Sequence, residues 1–207
     1  MDINYPSDAE LLRAEIAAAA ARMIAEDGAD YGNAKRKAAR QILGDAKVRG
    51  DVLPDNAQIE NEVRLYNELF FDDTQPLRLL HLRKLALRLM DDLAQFQPYL
   101  TGAVLNGTAG EHSDIHLQLF TESAKDVEIF LLNKNINFEV SETRHFKSNH
   151  APVETLSFLW HKEGVHLTVY QPDDLRGAIK TKNGARLERA NSIAVQALIT
   201  ESTNNAA

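Results

Sequence analysis

The stretch VLNGTAGEHSDIHLQLF, residues 104–120, decides the reading of the fold, because two strand-like runs flank one small-residue turn. Residues 103–106 are a short apolar run that predicts a strand. Gly107 and Thr108 then predict a tight turn where backbone amides approach a ligand closely. From Ser113 onward Ile115, Leu117 and Leu119 alternate with His116, Gln118 and Phe120. That period of two predicts a second strand, with Asp114 and His116 on one face.

Upstream of this stretch the grammar is helical. Ser7 and Glu10 have capping-box spacing, and Leu12, Ile16, Ala20 and Met23 line one face as far as Gly28. Asn33 is read as the cap of a second, basic helix ending at Gly44. Ile59, Val63, Tyr66 and Phe70 predict a third helix, and Leu82, Leu85, Leu89, Leu93 and Phe96 a fourth that stops before Pro98. Downstream, Ser123 caps a predicted helix over residues 123–133. Strands are predicted at 137–143, 155–161 and 165–171, the last two joined by a tight turn at Lys162, Glu163 and Gly164. From Asp173 the chain reads as helical again, with Ile193, Val195, Leu198 and Ile199 apolar.

The 207 residues suit one domain with an added helical segment or two small domains, and 44% hydrophobic residues suffice for a core. Lys+Arg 23 against Asp+Glu 30 gives a net charge of -7, so strong nonspecific nucleic-acid binding is disfavoured. With no cysteine there are no disulfides, no thiolate catalysis and no cysteine-ligated zinc. The opening MDINYPSDAELLRAE carries no charged region followed by an apolar run, and no 18-residue apolar stretch occurs. These features predict a cytoplasmic protein with no membrane partner. The P-loop, Gly-x-Gly-x-x-Gly and Gly-x-Ser-x-Gly patterns are all absent.

The order of Leu105, Gly107-Thr108 and Ser113-Asp114-Ile115-His116-Leu117 resembles the signature of the DNA polymerase beta-like nucleotidyltransferase superfamily. That signature is a hydrophobic strand, a Gly-Ser or Gly-Gly pair, a short turn-helix, and Ser-Asp-hydrophobic-Asp-hydrophobic on the next strand. The resemblance covers roughly residues 77–175. With the helical periodicity upstream it predicts an α+β fold: a helical N-terminal region at 1–76, read from that periodicity, and a nucleotidyltransferase-like mixed sheet of about five strands within 77–207. It also implies transfer of a nucleoside monophosphate from a nucleoside triphosphate to an acceptor, through a divalent cation held by paired carboxylates. On this reading Asp114 and His116 are the catalytic positions. Gly107, Thr108 and Ser113 bind the nucleotide, and Asp114, His116 and His166 are the metal ligands.

The sequence departs from that pattern. His116 stands where the second acid belongs, an imidazole that suits Mn²⁺ or Zn²⁺ better than Mg²⁺. The span from Gly107 to Asp114 is short, and the polar positions His166, Thr168 and Tyr170 of the last strand include no carboxylate. One of three expected acids is therefore visible. The alternative is an inactive nucleotide-binding or protein-interaction module of the same fold, with the N-terminal helices forming a homo-oligomer or partner surface. Two basic runs, Lys35, Arg36, Lys37, Arg40 and Lys180, Lys182, Arg186, Arg189, read as solvated helix faces, and Arg176 as a further candidate for an anionic ligand.

Overall fold

The computed structural model describes residues 7–44, 52–147, 150–176 and 189–204. Lys180, Lys182 and Arg186 lie outside the described residues. Contacts divide the chain into two units, Met1–Pro76 with Gly110–His112, and Leu77–Ala109 with Ser113–Ala207.

In the first unit three helices pack together: α1 (Asp8–Asp27), α2 (Tyr31–Leu43) and α3 (Asn56–Phe70). Ser7 and Glu10 close the expected capping box, which satisfies orphan amides of the first turn, and Gly28 ends α1 in a left-handed conformation. The second helix begins earlier than expected. Asp30 is its cap, accepting from the Asn33 amide at 2.9 Å, because an aspartate three residues ahead of a free amide is the stronger acceptor. The core is Ile16, Ala17, Ala20, Ala21, Ala34, Ala38, Ala39, Ile59 and Val63, and its many alanines let helix backbones approach closely. Around them, Lys35, Arg36, Lys37 and Arg40 are exposed or half-buried.

The second unit is α+β. Helix α4 (Gln75–Asp92) leads to β1 (Tyr99–Thr101), α5 (Gly102–Asn106), β2 (Ile115–Phe120), α6 (Ala124–Asn133), β3 (Glu139–Thr143), β4 (Val153–Trp160), β5 (Glu163–Tyr170) and α7 (Ser192–Asn204). The sheet order is β1-β2-β5-β4-β3, with β2 parallel to β5 and the other pairs antiparallel. An α+β chain with a mixed five-stranded sheet is thus the fold observed. Ile115, Leu117, Leu119, Leu156, Phe158, Val165 and Leu167 pack in one core with Leu82, Leu85, Leu89 and Met90 of α4, Val127 and Leu131 of α6 and Val195 and Ile199 of α7. Among the described residues no helix is long and apolar enough to cross a membrane.

Two local expectations are corrected. Residues 103–106 are not a strand but most of α5. The strand ends one step earlier, at Thr101, because Gly102 takes φ +71°, a left-handed conformation that breaks the extended chain and is open to glycine. The hairpin turn is His161-Lys162, both with positive φ, so that Trp160 pairs with Glu163 and Gly164 lies inside β5.

Two arginines, Arg83 buried and Arg78 half-buried, tie these elements. Arg83 of α4, 7% exposed, donates to the carbonyls of Val104 and Leu105 at 3.1 and 3.2 Å and to Ser202 Oγ at 3.2 Å. It therefore binds the last turn of α5, whose carbonyls have no helical partner, to α7. Burial lowers its pKa, against the pull of Glu201. Arg78 grips Glu163 with both guanidinium nitrogens, and with His81 at 3.3 Å holds α4 against the start of β5. The Arg78 hydrogen bonds, outweighing burial, depress the Glu163 pKa.

Replacing Arg83 with Met removes its donors from the buried Val104 carbonyl and the half-buried Leu105 carbonyl and should reduce unfolding free energy by about 2–3 kcal/mol, read by urea denaturation. Glu163 contributes its stabilisation fully above its ordinary pKa of 4.5, and that contribution is lost as pH falls through the depressed folded value. Glu163→Gln should therefore lower thermal stability at pH 7 and flatten its decline on the acid side of pH 4.5, as measured by melting across pH.

Candidate functional site

The register of the parallel pair sets His116 of β2 directly opposite His166 of β5, with Thr101 next to His116 and Ser157 next to His166. Four polar side chains thus form a row across the face opposite the hydrophobic core. The imidazoles of His116 and His166 stack with centroids 4.7 Å apart and planes 17° apart. Asp114, just before β2, leans over to accept from His166 Nε2 at 3.0 Å, while His166 Nδ1 is 2.8 Å from Ser157 Oγ. Asp114, His116 and His166 are accordingly brought together.

Two glycines make this arrangement sterically available. A Cβ on Gly164 would stand 2.2 Å from Asp114 Oδ1 and 2.5 Å from its Cγ. Only glycine at that position of β5 lets the carboxylate lie across the strand and reach His166. Gly102 abuts His116, its backbone placed so that a Cβ would be 3.8 Å from Cδ2.

The electrostatics favour a neutral His116. Loss of solvation, followed by repulsion from His166, pushes its pKa down to about 4 against the attraction of Asp114. The downward direction leaves the imidazole uncharged at pH 7. Two positions along β2 on the same face, Gln118 is 8% exposed, and its Oε1 has no hydrogen-bond partner among the described residues.

Gly107 and Thr108 are not part of this cluster. Gly107 is the left-handed C-cap of α5, its amide donating to Ala103 O at 3.0 Å, and a Cβ there would face Arg83. Thr108 is 3% exposed, and both its amide and its hydroxyl bond Asn106 Oδ1. Both amides are spent within the turn. Ser113 is half-buried, immediately before Asp114.

A second polar cluster lies at the other end of β5, where sequence reading offered no hint. The ligand atoms of His145, His150 and Asp174 lie within 4.8 Å of one another. Its hydrogen bonds describe a closed clamp. The Lys147 amide donates to His145 Nδ1 at 2.9 Å, so in the neutral ring the proton sits on Nε2, which donates to Asp174 Oδ2 at 3.1 Å. Lys147 Nζ takes the other carboxylate oxygen at 2.7 Å. Burial alone would raise the Asp174 pKa, but the Lys147 and His145 hydrogen bonds together hold it below its ordinary value. A metal on His145 Nε2 would require a proton on Nδ1, facing the Lys147 N–H, so the tautomer opposes that use. Arg189 stacks over Tyr99 and Phe120, 5.7 and 5.2 Å from the ring centroids, and Arg176 lies 3.7 Å from the exposed Asp173.

Comparison with protein families, curated proteins and solved structures yields no match.

Gly164→Ala should displace Asp114 from His166 while lowering stability by less than about 1 kcal/mol, because the group that must move is the end of a half-exposed side chain. Nitrogen-15 NMR of the imidazoles checks this. The wild type should show His166 fixed as the Nε2–H tautomer, and the variant a mixture.

Proposed function

We propose that the chain is a nucleotidyltransferase-fold protein that binds a nucleoside triphosphate with a divalent cation on the face carrying Asp114 and His116. Transfer of a nucleoside monophosphate to an acceptor is the reaction class this implies. The observation that carries the reading is the run β1, Gly102-Ala103, short helix α5, then Ser113-Asp114-Ile115-His116-Leu117 entering β2 beside β1. With the strand ending at Thr101, the glycine of the resemblance is better placed at Gly102 than at Gly107. The connection to Asp114 then regains a short helix.

Asp114 would offer a carboxylate oxygen, and His116 a nitrogen free of a proton at neutral pH, which is the form that ligates metals. Two protein ligands leave most of the coordination shell to phosphate oxygens and water, as for Mg²⁺ or Mn²⁺ at triphosphates. An imidazole ligand shifts the preference toward Mn²⁺ or Zn²⁺. Both nitrogens of His166 are engaged in hydrogen bonds, so it stands beside the cation ligands and is not one of them. The absence of cysteine fits a reducing, cytoplasmic setting.

A noncatalytic interaction module is the second reading. It is favoured by Leu65, Leu69 and Phe70, which stand 49%, 66% and 62% exposed on α3.

Titration calorimetry with Mn²⁺ and nonhydrolysable ATP, GTP, CTP or UTP analogues tests the first reading. Binding of at least one should be saturable and should weaken at least about tenfold, or 1.4 kcal/mol, in Asp114→Asn. No heat with any of the four would remove it and leave the interaction module, for which light scattering should show self-association that Leu69→Glu abolishes.

A further inference from the structure

We infer that Ser157 is an activated nucleophile, the end of a hydrogen-bonded relay that runs Asp114, His166, Ser157. The carboxylate of Asp114 has acceptors only, so His166 Nε2, 3.0 Å away, carries the proton of that bond. In the neutral ring Nδ1 is then an acceptor, and the group 2.8 Å from it, Ser157 Oγ, must be the donor. The serine proton is aimed at a base whose far side is held by a carboxylate. A nucleophile within hydrogen-bond reach of a base that a third group orients is the arrangement that activates serine on unrelated folds.

The position of each member is built in. Ser157 and His166 are cross-strand partners in β4 and β5, so the contact follows from register. The Asp114 contact depends on the missing side chain at Gly164. Ser157 is half-buried, and the relay's outer wall, His116, is exposed. The step this permits is attack on an electrophilic phosphorus. A bond forms from Ser157 Oγ to phosphorus, the bond from phosphorus to the leaving group breaks, and the serine proton passes to His166 Nδ1. The electrophile best suited to this face is the α-phosphorus of a nucleoside triphosphate, with pyrophosphate leaving and Ser157 carrying the nucleotidyl ester. That choice of electrophile rests on the nucleotide reading above; the activation of Ser157 does not.

The test is labelling of the full chain with a fluorophosphonate, which needs neither metal nor nucleotide and releases fluoride as the serine ester forms. Mass mapping should place the adduct on Ser157, and Ser157→Ala should abolish it. His166→Ala should slow labelling by about a hundredfold, the scale of general-base assistance, with recovery on adding imidazole. Folding of each variant is checked by circular dichroism. Absence of label at Ser157 in the wild type, or a rate unchanged by His166→Ala, overturns the inference, whatever the calorimetry of nucleotide binding gives. In parallel, incubation with Mn²⁺ and each triphosphate should add a nucleotidyl mass at Ser157. Nucleotide binding without that mass overturns the assignment of the electrophile.

Discussion

The parallel pairing of β2 with β5 is the constraint on which the rest of the second unit depends. It places Ile115, Leu117 and Leu119 beside Val165, Leu167 and Val169 on the core face, and in the same stroke sets His116 against His166 on the other. A slip by one residue would put imidazoles into the core and leucines into water, so burial of the apolar face fixes the polar row as well. The polar face inherits its geometry from hydrophobic packing that it does not itself contribute to.

Charge is distributed along that face in two different ways. At the start of β5 Asp114 bonds His166, which stacks on a neutral His116 and bonds Ser157 through its other nitrogen. At the end of β5 the charges cancel internally. Lys147 and His145 saturate Asp174, and this clamp holds the segment after β3 against the 3-10 turn at Pro172–Leu175. In the first cluster the bonds run in a line from Asp114 through His166 to Ser157, whereas in the second they converge on one carboxylate. The difference lies in the hydrogen-bond partners, since both clusters are histidine with aspartate.

Much of the fold was legible because its signals are local. The Ser7 and Glu10 capping box, Gly28, the apolar periodicities of α1, α3 and α4 and the alternation in β2 all act within a few residues. The errors were local as well. Residues 103–106 are apolar enough for a buried strand, and a run of four carries no period that separates strand from helix. Gly102 and Arg83 decided that case, the first by turning the chain and the second by satisfying the carbonyls at the helix end. Gly164 has the composition signal of a turn residue, since glycine is common in turns. Its role is to leave a space for a side chain fifty residues away, which no neighbouring residue signals.

What the sequence by itself determined is the division into helical and α+β parts and the face on which Asp114 and His116 lie. These follow from periodicity and residue chemistry, which need no knowledge of the partner strand. The tertiary structure alone decided that His166 stacks on His116, that Ser157 lies on the far side of His166, and that Gly107 caps α5 while Thr108 is buried. Each of those depends on sheet order and register, which are set by the summed burial of side chains far apart in the chain and are carried by no short motif.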